Sequence, residues 1–466
     1  MSLRSRRLGP WVRPWALAGP ILVLLIAAPL VRPLLQPAVA SGRERATLLS
    51  VRSLLTNHSL SIRPPADLPA GDFYRGPDGR IFGAEPPVFS VYLAGVAWGI
   101  ERTGVRFDRN PLLLEYLLIF FAVVVPTALA CGLLYRCGRV FELTRPWRVA
   151  LALACVLATG WLSFAVVLLP HALATALVTA SAASVVHVLI AKKPNLAVGW
   201  LLGGGFAAGA AAAIEPSAGW ALLAMPAAVL ALPHGRRVRF FGLLLCVLGA
   251  TSPLALHVSL CELVTGDWLP PRWHMNALSD ATAALTSEDR APGDVSAWAS
   301  AGRAVNRFFV FTIGSHGVLS HFPILVVAAA GTLTVLRRHW PRSVKCLAGG
   351  AALGLLVLVC LRTAGRVDPS DVDFAAPKLL TPLPILLLCG GAWLRRTHPP
   401  ATRVTIALAA VVSVVITLIG AAAPAPPEGY TGYTAAQAVE RLLLPARSRT
   451  ADSPASGLKA AVAGRS

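Results

Sequence analysis

The chain has 466 residues, of which 55% are hydrophobic and 14% charged, with a mean hydropathy of +0.65 and a net charge of +20. That composition excludes an ordinary soluble domain. The basic excess also excludes a nucleic-acid footprint, which needs a soluble basic face: six short breaks between apolar stretches hold 20 of the 42 Lys and Arg but only one of the 22 acids, Glu142.

Those breaks are the start (Arg4 to Arg13), Arg136 to Arg148, Lys192-Lys193, Arg236 to Arg239, Arg337 to Lys345 and Arg395 to Arg403. Cytoplasmic loops of membrane proteins collect Lys and Arg in this way. Apolar runs long enough to cross a bilayer as helices lie between them. In chain order the expected spans are Trp15–Leu35, Leu112–Tyr135, Trp147–Leu169, His171–Ile190, Leu196–Ile214, Ser217–Leu232, Phe240–Leu260, Val318–Leu336, Cys346–Leu361, Leu379–Trp393 and Thr402–Gly420. With the N-terminus inside, every even crossing returns to a basic break. The expected fold is therefore an all-α, polytopic bundle of about eleven transmembrane helices over residues 1–420. Residues 421–466 form an extracytoplasmic tail expected to be largely disordered.

The first span admits a second reading. Its basic start and Ala38-Val39-Ala40 before Ser41 resemble a cleavable signal peptide, but its length and Arg32 favour an uncleaved anchor. The eight cysteines form no CxxC pair, so neither a zinc site nor a disulfide framework is indicated, and they are read as packing residues. Gly203 to Gly205 and the following Ala/Gly run suggest close helix packing, not a phosphate cradle.

Polar sequence is concentrated on the expected outer face, in a first loop (36–111), a second (261–317) and a shorter third (362–378). Long loops gathered on one face are where a site is built. Within the first loop, Glu44 to Leu55 reads as an amphipathic helix with Leu48, Val51 and Leu55 on one side. Val88 to Ile100, after Pro86-Pro87, is too short to span and reads as a second interfacial or re-entrant helix.

An acid just beyond the first span, then a helix with Val51-Arg52-Ser53-Leu54-Leu55, then Phe82-Gly83-Ala84-Glu85-Pro86-Pro87: this order resembles the GT-C membrane glycosyltransferases, which include the protein O-mannosyltransferases and lipid A aminoarabinose transferases. Further matches are Ile214-Glu215-Pro216, Ile313-Gly314-Ser315-His316-Gly317 and Pro377-Lys378-Leu379-Leu380-Thr381-Pro382. The resemblance implies a GT-C-like fold. It also implies transfer of a sugar from a polyprenyl-phosphate carrier to an acceptor hydroxyl or amine on a lipid, glycan or protein, at the outer face of a bacterial plasma membrane. No nucleotide is expected, no metal ligand is assigned, and the cofactor is left open, with a divalent cation allowed.

On this resemblance Glu44 takes the place of the catalytic general base, with one residue of slack that would put Arg43 there. Lys378 is the first candidate for the donor phosphate, followed by Arg45 and Arg52. Glu85, His316, Arg272 and His274 complete the expected substrate-binding set. Two departures stand out: Glu44 replaces the family's Asp, and Glu85 replaces its lysine before Pro-Pro. The residues also allow blander roles. Glu44 suits the first turn of a helix dipole, the basic side chains suit headgroups, and Glu215 or His321 suits a helix end. A non-catalytic relative, or a transporter or flippase, is the alternative reading.

Overall fold

Helices account for most of the chain that the computed structural model describes, which is residues 14–35, 41–63, 73–274, 305–306, 308–309, 312–314, 317–363 and 377–423. The tail after Ala423 lies outside them. Helices α1 (Pro14–Ala27), α2 (Arg32–Leu35), α3 (Gly42–Asn57) and α4 (Pro87–Glu101) are followed by α5 (Pro111–Ile119) and α6 (Val125–Cys137). Next come α7 (Arg145–Leu157), α8 (Trp161–Ala165), α9 (Pro170–Ile190), α10 (Pro194–Ala197), α11 (Trp200–Ile214), α12 (Trp220–Leu230) and α13 (Arg236–Thr265). The series closes with α14 (Val318–His321), α15 (Leu325–Arg337), α16 (Arg342–Thr363), α17 (Leu383–Leu394) and α18 (Pro400–Ala422). A small antiparallel hairpin, β1 (Phe73–Arg75) with β2 (Ile81–Gly83), precedes α4.

Seven helical stretches are long and apolar enough to cross a membrane: Pro14–Leu34, Pro111–Cys137, Pro170–Ile190, Pro194–Ile214, Arg236–Thr265, Arg342–Leu361 and Pro400–Ala422. The other four expected spans are shorter or interrupted. Trp147–Leu169 breaks at Gly160, whose φ of +77° favours glycine and where a Cβ would overlap the Phe322 ring. Val318–Leu336 breaks around Phe322 and Pro323, and the stretches at 217 and 379 open as 3-10 turns. The two helices expected in the first outer loop are present, as α3 and α4, with Val51 buried on the apolar side of α3.

Packing follows the small residues. Helix α11 lies against α9 and α13, and a methyl added at Gly204 would overlap Ser184, or at Gly205 the Cys246 backbone. Close backbone approach of this kind is what small residues allow between apolar helices. The Ala/Gly run is a packing seam, as its composition suggested. Between α5 and α6 the ladder widens into a π turn over Phe120–Val124 just ahead of Pro126. Pro126 has no N–H to offer the Ala122 carbonyl four residues back; the Tyr92 hydroxyl from α4 donates to that carbonyl instead, at 3.1 Å. A sequence-level proline defect thus fixes α4 onto the bundle.

Helix α13 has 30 residues, about 45 Å of helix, against roughly 30 Å of hydrocarbon. Its C-terminal end leads into the Asp267–His274 segment, which meets Glu85 ahead of α4 through Arg272 and Tyr74 of the hairpin through His274.

Candidate active site

The first expected span ends on a buried arginine. Arg32 in α2 has no exposed surface, and a guanidinium taken out of water must find compensating charge and acceptors. Its Nε donates to Glu44 Oε1 at 3.1 Å, and its Nη2 pairs with Glu115 in α5. Its backbone N–H bonds the Val166 carbonyl at 3.0 Å. Glu44 is 1% exposed, and its Oε1 also accepts the Leu168 N–H at 2.9 Å.

The second oxygen is held differently. Glu44 Oε2 accepts from the Ser41 N–H at 3.2 Å and the Ser41 hydroxyl at 3.4 Å, while the Glu44 N–H bonds back to that hydroxyl. This is a reciprocal cap on α3. The dipole role and the buried role therefore coexist in one side chain. One oxygen is anchored by a cation and an amide; the other is engaged by longer contacts to a half-buried serine.

A second buried acid, distant along the chain, is held at the same end of the bundle. Glu215 closes α11 and is 6% exposed, with Oε2 2.7 Å from His171 Nδ1 and Oε1 accepting the Ser217 N–H at 3.2 Å. Burial raises its pKa, but the His171 charge and hydrogen bond, the Lys378 charge and the Ser217 amide outweigh it and hold the carboxyl down at about 2. Trp220 Nε1 donates to Thr381 Oγ1 at 3.2 Å, which donates to the Ser217 carbonyl at 3.4 Å. That brace ties the α12 start to the turn bearing Lys378. The Phe164 and His171 rings meet nearly at right angles, with centroids 6.0 Å apart. From Leu168, which holds Glu44, to His171, which holds Glu215, is three residues, at most about 11 Å of chain. Glu44, His171, Glu215 and Lys378 are therefore at one end of the bundle.

Of the other expected residues, Glu85 and Arg272 come together. Arg272 Nη1 lies 2.9 Å from Glu85 Oε1 in a largely buried pair. Glu85 is thus matched by a guanidinium brought from beyond α13. His274 lies 3.7 Å from Asp267 and its ring 5.9 Å from Tyr74. Arg43 and Arg45 are half-buried beside Glu44. Arg52 is apart from this cluster, more than half exposed and paired with Asp108 at 3.0 Å. His316 lies outside the described residues. His321 is buried at the end of α14, with Nδ1 2.8 Å from the Gly317 carbonyl. Among the described residues no three His, Cys, Asp or Glu side chains gather as a metal site.

Sequence reasoning passed over Arg32, Glu115 and His171. Arg32 did leave a signal: a charge inside an apolar run implies a buried partner.

No family model and no curated protein matches the sequence. Solved structures similar to it include the oligosaccharyltransferase of Archaeoglobus fulgidus in its apo form, at 12% identity and a TM-score of 0.48, over 90% of this chain and 57% of that one. The Archaeoglobus fulgidus oligosaccharyltransferase AglB in complex with an inhibitory peptide and a dolichol-phosphate matches at 13% identity and 0.45, over 90% and 56%. ArnT from Cupriavidus metallidurans bound to undecaprenyl phosphate matches at 16% identity and 0.45, over 88% and 71%. The chain spans a little over half the length of the first two.

Proposed function

We propose that this chain is a membrane glycosyltransferase that moves a sugar from a polyprenyl-phosphate carrier to an acceptor hydroxyl or amine on the extracytoplasmic face. The observation that supports it most is the Glu44 carboxylate, buried and fixed by Arg32 and the Leu168 amide at the same end of the bundle as Lys378. The order of motifs along the sequence supports it independently.

In this reading Glu44 is the general base. Oε1 stays with Arg32 and Leu168, while Oε2 exchanges its Ser41 contacts for the acceptor's hydroxyl or amine and takes the proton as the new bond to the anomeric carbon forms. The bond from that carbon to the carrier phosphate breaks, and polyprenyl phosphate leaves with the electron pair. Lys378 stabilises the charge that grows on the leaving phosphate, and Arg272 and Arg45 supply further cationic donors. Arg32 positions the base and compensates its burial.

Purified full-length protein given a polyprenyl-phosphate sugar and acceptor is expected to release polyprenyl phosphate. Glu44→Gln keeps the oxygen that accepts from Arg32 and Leu168 but cannot take a proton, so turnover should fall by about 10²–10⁴-fold; unchanged elution and helix content show that the fold survives, with Glu115 still paired to Arg32. Full turnover in that variant removes Glu44 as base.

A second reading gives proton transfer to the Glu215–His171 pair. It is favoured by their 2.7 Å contact beside Lys378 and by the buried Ser217 hydroxyl, which lacks a hydrogen-bond partner among the described residues. Loss of turnover in Glu215→Gln with activity retained in Glu44→Gln selects it.

A further inference from the structure

The end of the bundle opposite Glu44 carries a second charged feature that glycosyl transfer does not use. Helix α17 begins five residues after Lys378 and runs 12 residues to Leu394, so its far end is about 18 Å along the helix axis from its start. There, between the ends of α15 and α17, lies a cavity of about 580 Å³ lined by Thr334, Arg337, Arg338, Trp340, Arg395 and Arg396, among others. Arg395 pairs with Glu142 at 2.7 Å. Arg337, Arg338 and Arg396 have no carboxylate within ion-pair distance among the described residues, so three uncompensated guanidiniums face one space. Trp340 is held against Phe141, with ring centroids 5.2 Å apart.

Topogenic charge explains basic residues at this end but does not require them to converge on a cavity. Planar guanidiniums are suited to phosphate oxygens, and basic pockets at helix ends hold anionic lipid headgroups. The neighbouring surface identifies the source of the phosphate. Leu333 and Leu336, on α15 leading into the cavity, are 46% and 39% exposed, an apolar track on which acyl chains can lie. Trp340 sits at the rim, as interfacial aromatics do.

We propose that this cavity binds the phosphate headgroup of an anionic membrane phospholipid, with Arg337, Arg338 and Arg396 as its ligands and the acyl chains along α15. The site is separate from the acid cluster and does not depend on the transferase reading.

The test is native mass spectrometry of the full-length protein in detergent, titrated with phosphatidylglycerol or, in parallel, phosphatidylcholine. Wild type should retain phosphatidylglycerol at least tenfold more tightly, with retention falling as salt rises. The combined variant Arg337→Gln, Arg338→Gln, Arg396→Gln should lose that preference. Equal retention of both lipids by wild type, or an unchanged preference in the variant, overturns the proposal. Should the triple variant fail to fold, Arg338→Gln alone should weaken retention several-fold. Glu142→Gln, which frees Arg395, should strengthen it about threefold, and no response in either overturns the proposal equally. Pyrophosphate is the second probe: binding to wild type but not to the variant, without any lipid preference, would assign the cavity to a soluble phosphate and overturn the lipid.

Discussion

Glu44, Glu215 and Glu85 show how burial separates acids that look alike in a sequence. Each is paired, but with different partners: Arg32 and a backbone amide for Glu44, His171 for Glu215, Arg272 for Glu85. For Glu215 the consequence is measurable. Because folding lowers its pKa from 4.5 to about 2, the unfolded chain binds more protons than the folded one in that interval, and stability rises with pH across it. The contribution is complete above pH 4.5 and is lost as pH falls toward 2. Melting temperature followed from pH 5 to pH 2 should therefore show a weaker acid limb in Glu215→Gln than in wild type; identical limbs would dissociate Glu215 from acid stability. Glu44 and Glu85 were legible as candidates because of the motifs around them. The partners of Arg32, Glu115 and His171 were not, since they lie far along the chain: Arg32 joins residues 44, 115 and 166, and His171 joins 215.

Individual helices were the most legible level. Proline starts on α4, α5, α9 and α18 and the Ser41 cap on α3 use local chemistry that any reader of the sequence can weigh. Breaks were harder. The need for glycine at Gly160 is not visible from its neighbours, because the Phe322 ring that occupies its Cβ space comes from the turn between α14 and α15. The glycine seam provides a paired prediction. Gly205→Ala forces the α11–α13 contact apart and should cost about 1–3 kcal/mol. Gly203→Ala, two residues away with open space around it, should be stabilising by about 0.5–1 kcal/mol through helix propensity alone. Thermal melting of both proteins in one detergent checks this, and equal shifts would dissolve the seam.

At the scale of the whole molecule, charge along the sequence and position in the bundle give one orientation. The acid cluster occupies one end and the Arg337–Arg396 cavity the other, so the two should face opposite sides of the membrane. In a Cys360→Ser background, cysteines introduced by Asn57→Cys and His339→Cys should label differently. An impermeant maleimide should reach residue 57 in intact cells and residue 339 only after permeabilisation; labelling of both from one side would break the arrangement.

Hydropathy, charge periodicity and capping chemistry determined that this chain is a polytopic helical protein with two extra helices after its first span, because each depends on neighbours a few residues apart. Tertiary structure alone decided which acid meets which cation, where the long apolar runs break, and that arginines from the ends of α15 and α17 share a cavity. Those outcomes depend on side chains from distant stretches being brought out of water together, where an ion must find its partner or give up its charge.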